Sequence, residues 1–75
     1  MVGNGIGIST APGKRIEVTT LADGTYQSNR LKGRNFTVFF EGQDVATSLD
    51  GSVNKDAGSF DTGAGVAVNV EIEFS

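Results

Sequence analysis

The side chains of this sequence that could carry out covalent or metal chemistry are carboxylates, hydroxyls and amines. Neither His nor Cys occurs among the 75 residues. The commonest general base, the commonest transition-metal ligand and thiolate nucleophiles are therefore excluded, and so are disulfides. Any catalytic or metal site would have to come from short motifs of Asp, Ser, Thr and Lys.

One such motif is Phe60-Asp61-Thr62-Gly63-Ala64, which matches the Asp-Thr-Gly-Ala/Ser signature of aspartic proteases. In those enzymes the carboxylates of two copies share a proton and one activates a water, so a homodimer could supply two copies of Asp61. Retroviral-type proteases continue with a flap and a second structural half, whereas only 12 residues follow Gly63 here. Asp-Thr-Gly is also a common turn sequence. We therefore expect no catalytic residues and no enzyme activity.

A second motif runs from Asp50 to Asp61 and imitates the ligand spacing of an EF-hand calcium loop. Lys55 occupies the position where Gly is needed for the sharp turn, and Asp61 stands where a longer, bidentate Glu is expected. The flanking segments indicate strands rather than helices. A polar turn is the better interpretation, with a weak calcium site left open, and we predict no metal and no cofactor.

Arg30, Lys32 and Arg34 alternate along the chain, which predicts that all three lie on one face of a strand, flanked by Tyr26 and Phe36. Basic residues beside aromatics on a small β-barrel would suit single-stranded nucleic acid. The net charge of −3, from six basic and nine acidic residues, opposes that function. The other interpretation is a solvated strand whose charges discourage edge-to-edge pairing.

Period-two alternation is the clearest structural pattern in the sequence. Residues 66–74 alternate over nine positions, which predicts a C-terminal strand with one apolar face. Its apolar members are Val66, Val68, Val70, Ile72 and Phe74. Asn35–Phe40 is the second strong strand, and Phe39 lies opposite its apolar face. An apolar residue on both faces predicts a central sandwich strand or a strand covered by another subunit.

The remaining segments are shorter and are separated by turn sequences. We expect strands at Lys14–Thr20, Thr25–Gln27 and Val45–Leu49, and turns at Asp23-Gly24, Glu41–Asp44, Asp50-Gly51, Asn54–Ser59 and Asp61–Gly65. Asp23-Gly24 is expected to close a hairpin. No segment has a convincing helical period. The sequence predicts an all-β fold, a small antiparallel β-sandwich or barrel over residues 14–75.

Residues 1–13 differ from the rest of the chain. They contain Gly at positions 3, 5, 7 and 13, and they lack both the basic start and the continuous apolar core of a signal peptide. We expect a flexible N-terminal arm whose apolar residues, Ile6 and Ile8 among them, could insert into a neighbouring subunit. No apolar run reaches membrane-spanning length.

Charge is unevenly distributed along the chain. Residues 1–34 hold five basic and two acidic residues, a balance of +3, and residues 35–75 hold one basic and seven acidic residues, a balance of −6. Opposite charges of this kind could attract neighbouring copies to one another. The alternative is that they are spread over one solvated surface.

Leu31–Gln43, a strand entering a Gly turn, resembles segments of the small β-rich virion proteins of tailed bacteriophages over 13 residues. The resemblance implies a structural subunit present in many copies, without catalytic residues. We therefore expect a non-enzymatic assembly subunit of a phage virion (head decoration, neck, tail or fibre), located in the virion and assembled in the host cytoplasm, or otherwise cytoplasmic.

The expected partners are further copies of the chain or other particle subunits, with no membrane and no nucleic acid. The candidate assembly residues are Ile6, Ile8, Arg30, Lys32, Arg34 and Phe39. The alternative function is a small monomeric β-barrel that binds carbohydrate or single-stranded nucleic acid.

Overall fold

The structure, a computed structural model, describes residues 14–75. This part of the chain contains seven strands and no helix, so the predicted all-β class is confirmed. The strands are β1 (Arg15–Thr19), β2 (Thr25–Gln27), β3 (Phe36–Phe40), β4 (Gln43–Thr47), β5 (Val53–Asn54), β6 (Ser59–Asp61) and β7 (Asn69–Phe74). The predicted arm, with Ile6 and Ile8, lies outside the described residues.

The strands form two antiparallel sheets, one of four strands in the order β1-β7-β3-β4 and one of three strands in the order β2-β6-β5. In the larger sheet, Ile72 of β7 lies between Ile16 of β1 and Val38 of β3. Alternate residues of each strand share a face, so this register collects the apolar side chains on the inner side. The buried core is Leu31, Phe36, Val38, Ala46, Phe60, Val70, Ile72 and Phe74. Closure into a barrel is not seen among residues 14–75.

The C-terminal strand is confirmed, but it begins at Asn69 rather than at Val66. Gly63 and Gly65 have φ values of 77° and 73°, in the left-handed region that turns the chain away from an extended path. Val66 follows this bend and is 57% exposed. Val68 is half-buried and already accepts a backbone hydrogen bond from the Thr20 amide, at 2.9 Å.

In the second sheet, β2 has the bounds of the predicted strand Thr25–Gln27, but β5 and β6 form in a region that the sequence predicts to be rich in turns. β5 and β6 are two and three residues long, too short for their alternation to be visible in the sequence. Phe60 of β6 joins the two sheets, since its ring packs 5.5 Å from the Tyr26 ring and 6.1 Å from the Phe36 ring.

The predicted turn at Asp23-Gly24 is present, but the hairpin across it is absent. Asp23 Oδ1 accepts a hydrogen bond from the Thr25 amide at 3.0 Å, and Gly24 has a φ of 85°. After this turn the chain crosses from β1 in the larger sheet to β2 in the smaller one. Turn residues specify a local reversal of the chain, and they do not specify which strand the returning segment pairs with.

The β3–β4 hairpin is tighter than expected. Glu41 and Gly42 have φ values of 55° and 80°, so the turn has two central residues and β4 already begins at Gln43. Val38 pairs with Ala46, and the next residue, Phe39, pairs with Asp44. Val45 is therefore the extra residue of a β-bulge. β4 consequently ends at Thr47, and Leu49 lies beyond the sheet.

Candidate functional site

The basic residues Arg30, Lys32 and Arg34 lie in a turn and not on a strand, so the predicted placement is wrong. Their segment is folded by successive backbone hydrogen bonds, from Leu31 N to Ser28 O at 3.1 Å and from Arg34 N to Leu31 O at 3.0 Å. The turn directs Leu31 into the core, where it is 1% exposed, and leaves Arg30 and Lys32 exposed. The alternation of basic residues with other residues here belongs to a turn in which Leu31 is the buried side chain.

The basic loop, residues 28–35, is fixed to the β5–β6 hairpin by backbone hydrogen bonds. The Ser28 amide donates to Gly58 O at 2.8 Å, and the Gly33 amide donates to Lys55 O at 2.7 Å. Gly58 is required at this contact, because its φ is +73° and a Cβ there would lie 2.3 Å from Ser28 O. The contact also brings Lys55 to the loop, where its Nζ donates to Asn35 Oδ1 at 3.2 Å.

Arg34 differs from the other two basic residues of the loop. Its guanidinium carbon lies 4.0 Å from the centre of the Phe74 ring, a cation–π geometry, and its side chain is half-buried. Arg34 therefore packs the basic loop against the end of β7, whereas Arg30 and Lys32 face solvent.

An open cleft of about 320 Å³ lies beside this loop, where β3 begins and β4 and β7 end. Its lining is Asn35, Phe36, Thr37, Thr47, Ser48, Leu49 and Ser75. Backbone hydrogen bonds close its walls, from Ser48 N to Phe36 O and from Ser75 N to Asn35 O. Leu49 is 90% exposed. We call this end of the four-stranded sheet the loop end.

The opposite end of the sheet, where β1 and β3 end and β4 and β7 begin, is called the turn end. Leu21 and Val66 are 64% and 57% exposed here. Gly24 N donates to Leu21 O, and the buried Gly24 also lies against the backbone of Val66. Leu21 and Leu49 are not among the predicted site residues, although an apolar residue within two positions of an Asp-Gly turn is a usable signal.

Phe39 lies on the outer face of the four-stranded sheet and is half-buried. The Arg15 guanidinium lies 4.1 Å from its ring centre and also pairs with Glu73 at 3.0 Å and Glu71 at 3.2 Å. The hydrogen bond to Glu73, reinforced by Glu71, raises the pKa of Arg15 further above its usual value. Arg15 of the same chain therefore covers part of Phe39, and contact of Phe39 with another subunit stays a prediction.

The protease-like motif lies in a turn at the end of β6. Asp61 is exposed and its Oδ1 accepts a hydrogen bond from Gly63 N at 2.8 Å, while Thr62 Oγ1 donates to Gly24 O at 2.9 Å. Phe60 of the motif belongs to the core. Asp61, Thr62 and Gly63 therefore close the turn with their own hydrogen bonds.

The calcium-like segment also consists of turns closed by its own side chains. Asp50 Oδ1 accepts hydrogen bonds from the Ser52 amide at 2.9 Å and from the Ser52 hydroxyl at 3.0 Å. Both hydrogen bonds lower the pKa of Asp50, and the one from the amide has the larger effect. Asn54 Oδ1 accepts from Ala57 N at 3.1 Å. Within residues 14–75, no three acidic side chains come together in a group that could hold a metal ion.

Comparison of the chain with protein-family models, with curated proteins and with solved structures found no match. The resemblance of residues 31–43 to phage virion proteins therefore stays a prediction. The described part of the chain holds no helix of the length and apolarity needed to cross a membrane. The fold and its surfaces define a small all-β domain with exposed apolar side chains at both ends of its larger sheet.

Proposed function

We propose that this protein is a non-enzymatic structural subunit that assembles with further copies of itself, or with other subunits, into a larger particle. The observation that carries the proposal is the exposure of Leu49 at the loop end and of Leu21 and Val66 at the turn end. Single exposed apolar residues are common on protein surfaces. Leu49, however, lines an open cleft together with Asn35 and Ser48, and the backbones of Leu21 and Val66 both lie against Gly24.

The particle we propose is the virion of a tailed bacteriophage, with the protein as a head, neck, tail or fibre component. This part rests on the resemblance of residues 31–43 to virion proteins. The arm would add a second contact, with Ile6 and Ile8 inserted into a groove or added to a sheet edge of a neighbour.

A monomeric module that binds single-stranded nucleic acid or carbohydrate is the second candidate. The grouping of Arg30 and Lys32 with Lys55 around one loop favours nucleic acid. The aromatic residues that flank the basic loop pack within the domain, since Phe36 is buried in the core and the Tyr26 ring packs against the Phe60 ring. Base stacking, which supplies much of single-strand affinity, would therefore need another platform.

The proposed function is tested by the mass of the full-length protein in solution. The monomer has a mass of 7.8 kDa, and light scattering over a range of concentrations should give a multiple of that value. Leu49→Ser should reduce association without lowering the melting temperature, because Leu49 is exposed. Thr19→Ser, at an exposed position of β1, is the matched control.

A second pair of variants addresses the arm at constant chain length. Replacing both Ile6 and Ile8 by Ser should weaken association, whereas replacing Ser9 and Thr10 by Ala should leave it intact. A 7.8 kDa particle at every concentration up to the solubility limit would contradict assembly with copies of itself. Tight, salt-sensitive binding of an oligonucleotide by that monomer would favour the second candidate.

A further inference from the structure

We propose that copies of this protein associate head to tail, with the turn end of one copy docked on the loop end of the next. This inference rests on the proposed function and names the partner as a second copy of the chain. The two ends differ in charge, and each carries exposed apolar side chains.

The loop end holds all six basic side chains of the protein. β1 begins at this end with Arg15, and Lys14 precedes it. The basic loop lies at the same end, because Ser75 N, just after β7, donates a hydrogen bond to Asn35 O at 3.1 Å. The six are Lys14, Arg15, Arg30, Lys32, Arg34 and Lys55. Three carboxylates, those of Asp50, Asp56 and Glu73, share this end, which leaves a balance of +3.

The rest of the domain is acidic. Asp23 and Asp61 flank the turn that carries Leu21, and Glu41 and Asp44 lie in and beside the β3–β4 turn. Glu17 and Glu71 face each other in the middle of the sheet. Glu71 is also paired with Arg15. The four carboxylates of the turn end, Asp23, Glu41, Asp44 and Asp61, have no basic side chain among them within residues 14–75, so the balance there is −4.

Charge separation predicts which surfaces can meet. Two loop ends would place like charges together, and so would two turn ends, whereas a loop end and a turn end attract each other. The apolar residues fit the same pairing, because Leu21 and Val66 project from the acidic end and the cleft beside Leu49 opens at the basic end. An apolar centre with a charged rim is the usual composition of a protein interface.

A contact between two different surfaces has a consequence for the assembly. In a row of copies, the first and the last copy each keep one unused surface, a loop end or a turn end. Association therefore continues until a ring closes or a filament grows. In a symmetric dimer formed end to end, each copy would meet its own like-charged end. The end-to-end contact proposed here therefore leads to rings or filaments rather than to dimers.

Charge reversal at exposed side chains tests the inference. The first variant carries Arg30→Glu and Lys32→Glu, which changes the loop end from +3 to −1, and the second carries Glu41→Lys and Asp44→Lys, which changes the turn end from −4 to neutral. Asp23, Asp50 and Asp61 are kept because their carboxylates close turns. Circular dichroism and melting temperature should show that both variants fold like the parent protein.

Each variant alone should sediment as a monomer, because its two ends no longer attract each other. In an equimolar mixture the basic loop end of the second variant can still meet the acidic turn end of the first, so a complex of one copy of each should form. The variant that carries all four substitutions has the parent net charge of −3 but an acidic loop end and a neutral turn end, so it should stay monomeric. High salt should weaken association of the parent and of the mixture alike.

The remaining outcomes separate this inference from the proposed function. If the parent protein assembles and both charge variants assemble equally well, the head-to-tail contact is wrong while the structural role stands. If the variants are monomers and their mixture does not associate, the two ends do not contact each other. Association of the four-fold variant would contradict the inference as well, because its two ends do not attract each other. A parent protein that stays monomeric contradicts self-assembly and this inference together.

Discussion

Replacing Gly58 by Ala should disrupt the contact between the basic loop and the β5–β6 hairpin. The added Cβ would lie 2.3 Å from Ser28 O and 3.2 Å from Lys32 N. Both are backbone atoms, so no side chain can rotate away to make room. The loop would have to move, and the hydrogen bonds from Ser28 N to Gly58 O and from Gly33 N to Lys55 O would be lost or lengthened.

The free-energy cost has two parts. Placing Ala at a φ of +73° costs about 1–2 kcal/mol. Loss of the two backbone hydrogen bonds adds about 0.5–1.5 kcal/mol for each. The total, about 2–5 kcal/mol, is comparable to the ~3–5 kcal/mol that a single core of this size supplies. Gly58→Ala should therefore leave much of the protein unfolded.

Gly33→Ala is the matched control, since Gly33 belongs to the same contact and has a φ of +72°, but a Cβ there meets nothing within 4 Å. This variant should lose only the backbone part, about 1–2 kcal/mol. Urea denaturation followed by fluorescence of Tyr26, the single Tyr of the sequence, measures both. Equal unfolding free energies for the two variants would refute the steric argument.

Two further predictions concern hydrogen bonds of single side chains. The buried Thr20 hydroxyl accepts from Val68 N at 2.9 Å and donates to Leu21 O at 3.1 Å. Thr20→Val should therefore cost about 1–3 kcal/mol of unfolding free energy in urea, while Thr20→Ser retains most of the stability; equal values for the two would contradict this role of the hydroxyl. The pKa of Asp50 is lowered in the folded state, so its contribution to stability is complete above its usual pKa of 3.8 and is lost as pH falls through the lower folded value. The melting temperature should accordingly fall less steeply with acid in Asp50→Asn than in the parent protein, and identical acid profiles would show that the Ser52 contacts do not matter for stability.

The sequence was sufficient to predict the strands that bury one face over five or more residues. β1, β3 and most of β7 were found because alternation is required wherever one face of a strand meets a core. Val70 and Ile72 are buried as their register requires, and Glu71 between them is exposed. The predicted start of β7 was wrong because the apolar pattern does not show the bend that the left-handed Gly63 and Gly65 introduce before it.

Two strands of the smaller sheet, β5 and β6, and the basic loop were missed for different physical reasons. β5 and β6 are held by Phe60, whose burial depends on residues distant in sequence, so a polar, Gly-rich segment around it looks like turns alone. In the basic loop, Leu31 fits either an alternating strand or a turn, and only the hairpin on which the loop rests decides between them. The separation of charge between the two ends likewise depends on Lys55, which the chain order places among acidic residues.

The central position of β7 determines the order in which the larger sheet can fold. β7 pairs with β1 across 58 positions of sequence and with β3 on its other side, so neither neighbour has its central partner until residues 69–74 are available. A sheet closed by such distant pairing belongs with the β proteins that fold in about milliseconds to seconds. While the chain is being synthesised, β3 can pair only with β4. Phe36 and Val38 therefore stay exposed to solvent until β7 has been synthesised and can pair with β3.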